Sequence, residues 1–224
     1  MSARLMVVAD FGTFVLKQLP PPPQRVLEVG CGREGGLVEL LAGAGYDVLG
    51  VDPHAPEGER FLQSTFQEAS NRLLRGGFDA VVAGRVLHHV NPLDEGLDLL
   101  ASFAPLLIVD EFASDRIDHA AQDWYEGQHR MLRATGIEPN GPGDLDEWRA
   151  RHPGLHPHVV LLAGLRARYD EVEFEWLPYL SRWLGGPSSE SLEQTLIDAE
   201  LIPAIGYRWA GVRTSTTRSA AASR

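Results

Sequence analysis

The chain is short of cysteine, lysine and long apolar runs, and each shortage excludes something. Cys31 is the only cysteine in 224 residues, which rules out an internal disulfide and a thiolate metal cage. No stretch of about 18 apolar residues occurs, so no segment reads as a membrane-spanning helix. The start, "MSARLMVVADFG", has Arg4 but no apolar core long enough for a secretory signal. The expectation is a soluble, cytoplasmic protein with no membrane partner. Lys17 is the sole lysine, and the formal net charge is −11. Binding a nucleic-acid backbone takes a basic face. With no Lys/Arg run in the chain, no nucleic-acid partner is expected.

What remains is an ordinary globular composition, 44% hydrophobic and 23% charged. The length suits one domain with a sizeable core. "PPPP" at 20–23 is a stiff spacer that ends the segment before it. That segment, "FGTFVLKQL", reads as a short amphipathic helix with Phe11, Phe14 and Val15 on one side. Arg25–Val29 reads as a buried strand, "GGLVELLAGAG" as a helix and "YDVLGVD" as the next strand. Together they form a β-α-β unit. "FDAVVAG" (78–84) and "PLLIVDEF" (105–112) are further strands, joined by a helix for which Asn91 is the expected N-cap and Pro92 the first residue. Strands alternating with helices predict an α/β fold with a doubly wound parallel sheet.

From 115 to 170 the signals are helical. Ile117, Ala121, Trp124, Met131 and Leu132 lie near one face, and Asp144 and Glu147 have capping-box spacing. This stretch reads as a helical cap inserted over the sheet. "EVEFEWLPY" and "AIGYRWAGVR" are closing strands around the helix "SLEQTLIDAEL", with Leu192, Leu196 and Ala199 at helical spacing. The expected organisation is one domain over 1–213, divided into 24–114, 115–170 and 171–213, with a disordered tail at 214–224.

The strand–helix junction "RVLEVGCGREGG" (25–36) is the informative stretch. Glycines there let backbone approach a ligand closely. The helix start behind them favours a negative group, either a pyrophosphate or an amino acid carboxylate. Asp52 ends the second strand, where a carboxylate accepts hydrogen bonds from ribose hydroxyls. A nicotinamide dinucleotide and an adenosyl amino acid both satisfy this much. Glu28 separates them: a carboxylate two residues before Gly30 repels a pyrophosphate and suits a cofactor with an ammonium. The competing reading is a strand-end carboxylate bonded to backbone N–H groups. It is set second, because a buried acid is costly unless paired.

"VLEVGCG" (26–32), "VLGVDP" (48–53), "FDAVVAGRVLHHV" (78–90) and "PLLIVDEF" (105–112), in that order and spacing, resemble the class I S-adenosylmethionine-dependent methyltransferases. The resemblance covers roughly residues 24–112. It implies a Rossmann-like, seven-stranded methyltransferase sheet with S-adenosylmethionine as cofactor. It also implies roles for the matched positions. Glu28, Gly30, Cys31 and Gly32 would line the methionine part, Asp52 would bind the ribose and Pro53 would lie beside the adenine. Gly84 and Arg85 would flank the methionine moiety, with Thr65 and the Phe66 N–H at the adenine edge. Two positions depart from the family pattern. Glu34 stands where a third glycine is usual, and Thr65 where an acid is common.

Methyl transfer from a sulfonium is an in-line displacement whose main requirement is alignment of donor and acceptor. A base is needed only if the acceptor must lose a proton. His88 is the candidate catalytic residue, either as that base or as an acceptor-positioning group; the competing reading for it and for His89 is a loop hydrogen bond. Asp110 and Glu111 read either as substrate-holding carboxylates or as caps on backbone. His152, His156 and His158 read as loop histidines and no metal site is assigned. The expected activity is methylation of a small-molecule acceptor. The alternatives are a non-catalytic S-adenosylmethionine-binding regulatory protein and an NAD-dependent oxidoreductase. The latter lacks a Tyr-x-x-x-Lys pair, since Lys17 precedes the fold. Monomer and homodimer both remain open.

Overall fold

A computed structural model describes residues 3–185 and 187–213. Helix α1 (Ala3–Gln18) leads through the proline spacer into strand β1 (Arg25–Val29). There follow α2 (Val38–Gly43), β2 (Asp47–Asp52), β3 (Phe61–Gln63), α3 (Ser70–Leu73), β4 (Ala80–Gly84), α4 (Leu93–Phe103) and β5 (Leu106–Phe112). Three helices come next, α5 (His119–Ala134), α6 (Leu145–Arg151) and α7 (His158–Arg166). The chain closes with β6 (Tyr169–Leu177), α8 (Leu180–Leu184), α9 (Pro187–Asp198) and β7 (Gly206–Arg213). The seven strands form one sheet in the order β3-β2-β1-β4-β5-β7-β6. The pairings from β3 to β5 are parallel, and β7 runs antiparallel between β5 and β6. Strand order reverses between β1 and β4, and a crevice beyond carboxyl ends at such a switch point is where open α/β sheets take ligands.

Side-chain alternation explains the three layers. Leu27, Val29, Val81, Ala83, Leu107 and Val109 point to one face, where Leu97, Leu100, Leu161 and Leu165 cover them. Val26, Val48, Ala80, Val82 and Ile108 point to the other, against Phe14, Val15, Val38 and Leu41. Strands buried on both faces read as continuous apolar runs, as "AVVA" in β4 does. A third cluster at the carboxyl edge joins Phe112 to Tyr125, Leu145, Tyr179 and Leu184.

Several local expectations need correction. Helix α4 begins at Leu93 with Pro92 as N-cap, and Asn91 supplies no side-chain cap. Met131 is 65% exposed; the inward side of α5 carries Ala121, Tyr125 and His129 instead, because a 3.6-residue period started at Ala121 carries that face past 131. In α9 Leu192 faces outward and Glu193 is buried. Its carboxylate accepts N–H bonds from Tyr179, Leu180 and Ser181, capping α8. Asp144 caps α6 through the Glu147 N–H. The tail 214–224 lies outside the described residues.

Candidate functional site

Two cavities open beyond the carboxyl ends of the strands. The first, about 190 Å³, lies between the ends of β1 and β2 and the segment after β3; Gly30, Asp52, Pro53, Thr65, Phe66 and His89 line it. The second, about 330 Å³, is lined by Gly84, Arg85, His88, Trp148, Tyr179 and Trp183, with His89 again on its wall. His89 therefore stands where the two meet.

The glycine loop is shaped from beneath. The Glu28 carboxylate is buried and both of its oxygens accept from the Leu37 N–H, at 3.0 and 2.8 Å. It does not line either cavity. The backbone-bonded role, set second in the sequence reading, is the observed one. The Glu28 carboxyl group already sits at the start of α2, so the acceptor that this helix start seeks belongs to the chain itself. Gly36, at φ 55°, closes the loop over it; a Cβ there would run into the carboxylate, and the backbone angle disfavours side chains. Cys31 is turned inward against the sheet, its sulfur facing Gly50. Burial, then the charges of Glu28 and Asp52, push its thiol up to about 12. Glu34 is exposed on the outer side of the loop.

Burial also pushes the Glu28 carboxyl up to about 7, against the lowering effect of the N–H bonds from Leu37 and Val38. The folded chain thus holds a proton between about pH 4.5 and 7 that the unfolded chain has released. The sign follows: this group's contribution to stability falls as pH rises through that window. Glu28→Gln, neutral throughout, is expected to gain on the wild type by up to about 3 kcal/mol between pH 4.5 and 8. Urea midpoints at both pH values check this, and a pH-independent difference would assign the titration elsewhere.

In the first cavity, Asp52 Oδ1 accepts from the His54 N–H at 2.7 Å, which fixes the carboxylate at the strand end. Thr65 and Glu68 form a reciprocal box. Thr65 Oγ1 donates to Glu68 Oε2 at 2.9 Å and accepts from the Glu68 N–H at 3.2 Å. The Thr65 hydroxyl proton is thereby committed, so towards a ligand this side chain offers an acceptor lone pair.

The second cavity is built at the end of β5. Glu111 is fully buried. Its Oε1 accepts from the Leu87 N–H at 2.6 Å, and its Oε2 accepts from the Phe112 N–H at 3.2 Å and from His88 Nδ1–H at 2.6 Å. A carboxylate acceptor fixes the hydrogen on Nδ1 and leaves Nε2 as the basic nitrogen. His88 also packs against the Phe112 ring, with centroids 4.8 Å apart. Burial, then the neighbouring His88, hold the His89 imidazole below its usual range. Asp110 receives Arg182 at 2.8 Å and forms an ion pair with Arg208 at 3.4 Å. Arg85 occupies the left-handed region at φ 56°, a conformation costing about 1–3 kcal/mol that is typical of functional loops. It is held by the Arg85 N–H donating to the Asp110 carbonyl at 2.6 Å. Arg85 and Gly84, expected beside the methionine moiety, are found on the second cavity, not the first.

The three loop histidines separate. His152 stacks on Trp148, His158 Nδ1–H donates to Asp115 at 2.8 Å, and His156 ties the loop before α7 to the His88 turn. That tie has two bonds, His156 N–H to the His88 carbonyl and His156 Nε2–H to the Val90 carbonyl at 2.7 Å. The sequence reading missed Tyr179 and Trp183, which come from the segment after β6, and it did not couple Glu111 to His88. Nothing in linear spacing signals either, since 23 residues and a β–α–β crossover separate that pair.

A family model described as a methyltransferase domain matches residues 4–154. Among solved structures, a SAM-dependent methyltransferase from Archaeoglobus fulgidus superimposes with a TM-score of 0.56 at 18% identity, covering 94% of each chain. An S-adenosylmethionine-dependent methyltransferase from Mesorhizobium loti gives 0.54 at 14%, covering 90% of this chain and 96% of that one. Magnesium protoporphyrin IX methyltransferase from Synechocystis PCC 6803, with bound S-adenosylhomocysteine, gives 0.51 at 17%, covering 95% and 84%. At these identities the likeness is one of fold. No curated protein matches the chain.

Proposed function

The chain belongs to the class I S-adenosylmethionine-dependent methyltransferase family, and we propose that it methylates a hydroxyl-bearing small molecule held in the second cavity. The carrying observation is the buried His88–Glu111 pair on the wall of a cavity that adjoins the Asp52 cleft at His89.

Asp52, Pro53, Thr65 and Phe66 fit the adenosine half of the cofactor. Asp52 offers a charged acceptor to the ribose, Thr65 an acceptor to the adenine amino group, and Phe66 an apolar wall. Gly30 and Gly32 leave room for the methionine half, while Glu28 and Cys31 act from below by holding the loop. The same arrangement disfavours a dinucleotide, because Glu28 already occupies the N–H at the helix start that a pyrophosphate would use. Bound S-adenosylmethionine supplies the electrophilic methyl group. The loop at Gly30 and the Asp52 cleft would hold that cofactor with its methyl group towards the second cavity, where the acceptor hydroxyl would face it. The acceptor proton passes to His88 Nε2 and then to solvent, with Glu111 stabilising the imidazolium. Alignment across the junction of the two cavities is worth about 7–11 kcal/mol in effective-concentration terms. The helices over 119–166 act as a cap, with Trp148 its contribution to the wall.

Calorimetric titration tests the cofactor assignment. S-adenosylmethionine and S-adenosylhomocysteine are expected to bind one to one, and NAD to give no heat. Binding of NAD in preference to both would overturn the reading.

A further inference from the structure

We propose that the acceptor is a planar aromatic carboxylate whose ring lies on the Trp148–Trp183 wall and whose carboxylate is taken by Arg85. This deepens the methyltransferase reading and rests on it. The floor and one side of the second cavity are aromatic. Phe112 stacks on Tyr179 with centroids 4.6 Å apart, and Trp148 and Trp183 follow at 5.4 Å from each other. Such a surface favours a flat ring, or a cation against its π faces. The charged groups decide between these. The two buried carboxylates beside the cavity are engaged, Glu111 by His88 and three N–H groups, and Asp110 by Arg182 and Arg208. On the wall itself stand Arg85, His88, His89 and His152. Arg85 keeps 45% of its side chain exposed, and its ion pair with Asp110 is a long one, Nε lying 3.9 Å away and beyond hydrogen-bond reach. A wall whose fixed charge is a guanidinium, with its neighbouring carboxylates already engaged, repels an ammonium and suits an anion. A guanidinium pairs two N–H groups with a carboxylate in one plane.

The volume, about 330 Å³, is at the small end of the 300–1,000 Å³ usual for ligand sites, so one or two rings fit. Arg85 and His88 are three residues apart in the same loop, which places an anion clamp and a proton acceptor at different points of one wall. A ring bearing a carboxylate at one end and a hydroxyl at the other meets both.

The test uses full-length protein loaded with S-adenosylhomocysteine and three probes: 4-hydroxybenzoate, 4-hydroxybenzamide and cyclohexanecarboxylate. Calorimetry, with tryptophan quenching as a second signal, is expected to show 4-hydroxybenzoate binding roughly tenfold tighter than either comparison compound, the worth of one charge-assisted pair or one stacked ring. Arg85→Gln is expected to bring the acid and the amide to within threefold of each other while S-adenosylhomocysteine affinity changes by less than threefold. Equal binding of acid and amide to the wild type overturns the proposal without any variant. So does absence of 4-hydroxybenzoate binding by protein that does bind S-adenosylhomocysteine. Parallel loss of S-adenosylhomocysteine and 4-hydroxybenzoate in Arg85→Gln assigns Arg85 to the cofactor carboxylate and also overturns it. Failure of the wild type to bind S-adenosylhomocysteine removes the methyltransferase reading first, and this one with it.

Discussion

His88→Ala is expected to lower kcat for methylation of a hydroxyl by about 10²–10⁴, the usual contribution of a positioned general base. The expectation rests on tautomer control. Glu111 is held by the Leu87 and Phe112 N–H groups, and it accepts the His88 Nδ1 hydrogen at 2.6 Å. Nε2 is left as the acceptor of a ring that lines the second cavity. Glu111→Gln places an NH₂ where only acceptors fit, so the amide must either leave a backbone N–H unpaired or force the ring into the other tautomer. It should therefore reproduce most of the loss in His88→Ala, with KM for the acceptor changed less than kcat. The double variant should be no slower than either single one, because the two residues act as a unit. Radiolabelled methyl transfer measures the rates, and calorimetry with S-adenosylhomocysteine verifies that the cofactor site survives. A kcat reduced by less than fivefold would mean that alignment alone drives the reaction and that the pair is structural.

The β1–α2–β2 unit was legible because its signals are local. Strand, glycine bend, helix and Asp52 all fall between Arg25 and Asp52, so spacing alone places them at one sheet edge. Phe11, Phe14 and Val15 were likewise readable as one face of α1, and they pack on the sheet as a 3.6-residue period requires. The direction of a carboxylate was not legible. Glu28 has the same place in the sequence whether it points at a ligand or under the loop, and the choice is made by Leu37, nine residues on. Helix faces near a boundary failed for a related reason. Leu192 was read onto the inward face by spacing, but the N–H groups that start α8 give the neighbouring Glu193 three partners, worth more than burying one leucine. The wall of the second cavity was the least readable part. It joins Arg85, Phe112, Trp148 and Trp183 from four separate segments, and because β7 is antiparallel to both β5 and β6, the segment after β6 emerges at the same sheet edge as the end of β5.

Asp52→Ala is expected to weaken S-adenosylhomocysteine binding by on the order of 10², the equivalent of one or two hydrogen bonds to a charged group at about 1.5–3 kcal/mol each. Asp52 is suited to this by what already holds it. The His54 N–H fixes Oδ1 at 2.7 Å, so the carboxylate is oriented before a ligand arrives and Oδ2 remains available to the cleft. Asp52→Asn keeps an oxygen for His54 but loses the charge, and should fall between the two, nearer a tenfold loss. The thermal shift gives an independent check. With ligand at 100 times the wild-type Kd, the wild type gains about 2.7 kcal/mol by mass action, or roughly 5–11 °C for a chain of this length. At the same concentration, Asp52→Ala should gain only about 0.4 kcal/mol, a shift of roughly 1 °C. The variants should unfold near the wild-type temperature without ligand, since the side chain is only half-buried and its one internal bond is to a turn. If Asp52→Ala instead binds S-adenosylhomocysteine within threefold of the wild type, the ribose does not lie at the end of β2. The cofactor would then have to enter from the Arg85 side, exchanging the roles of the two cavities.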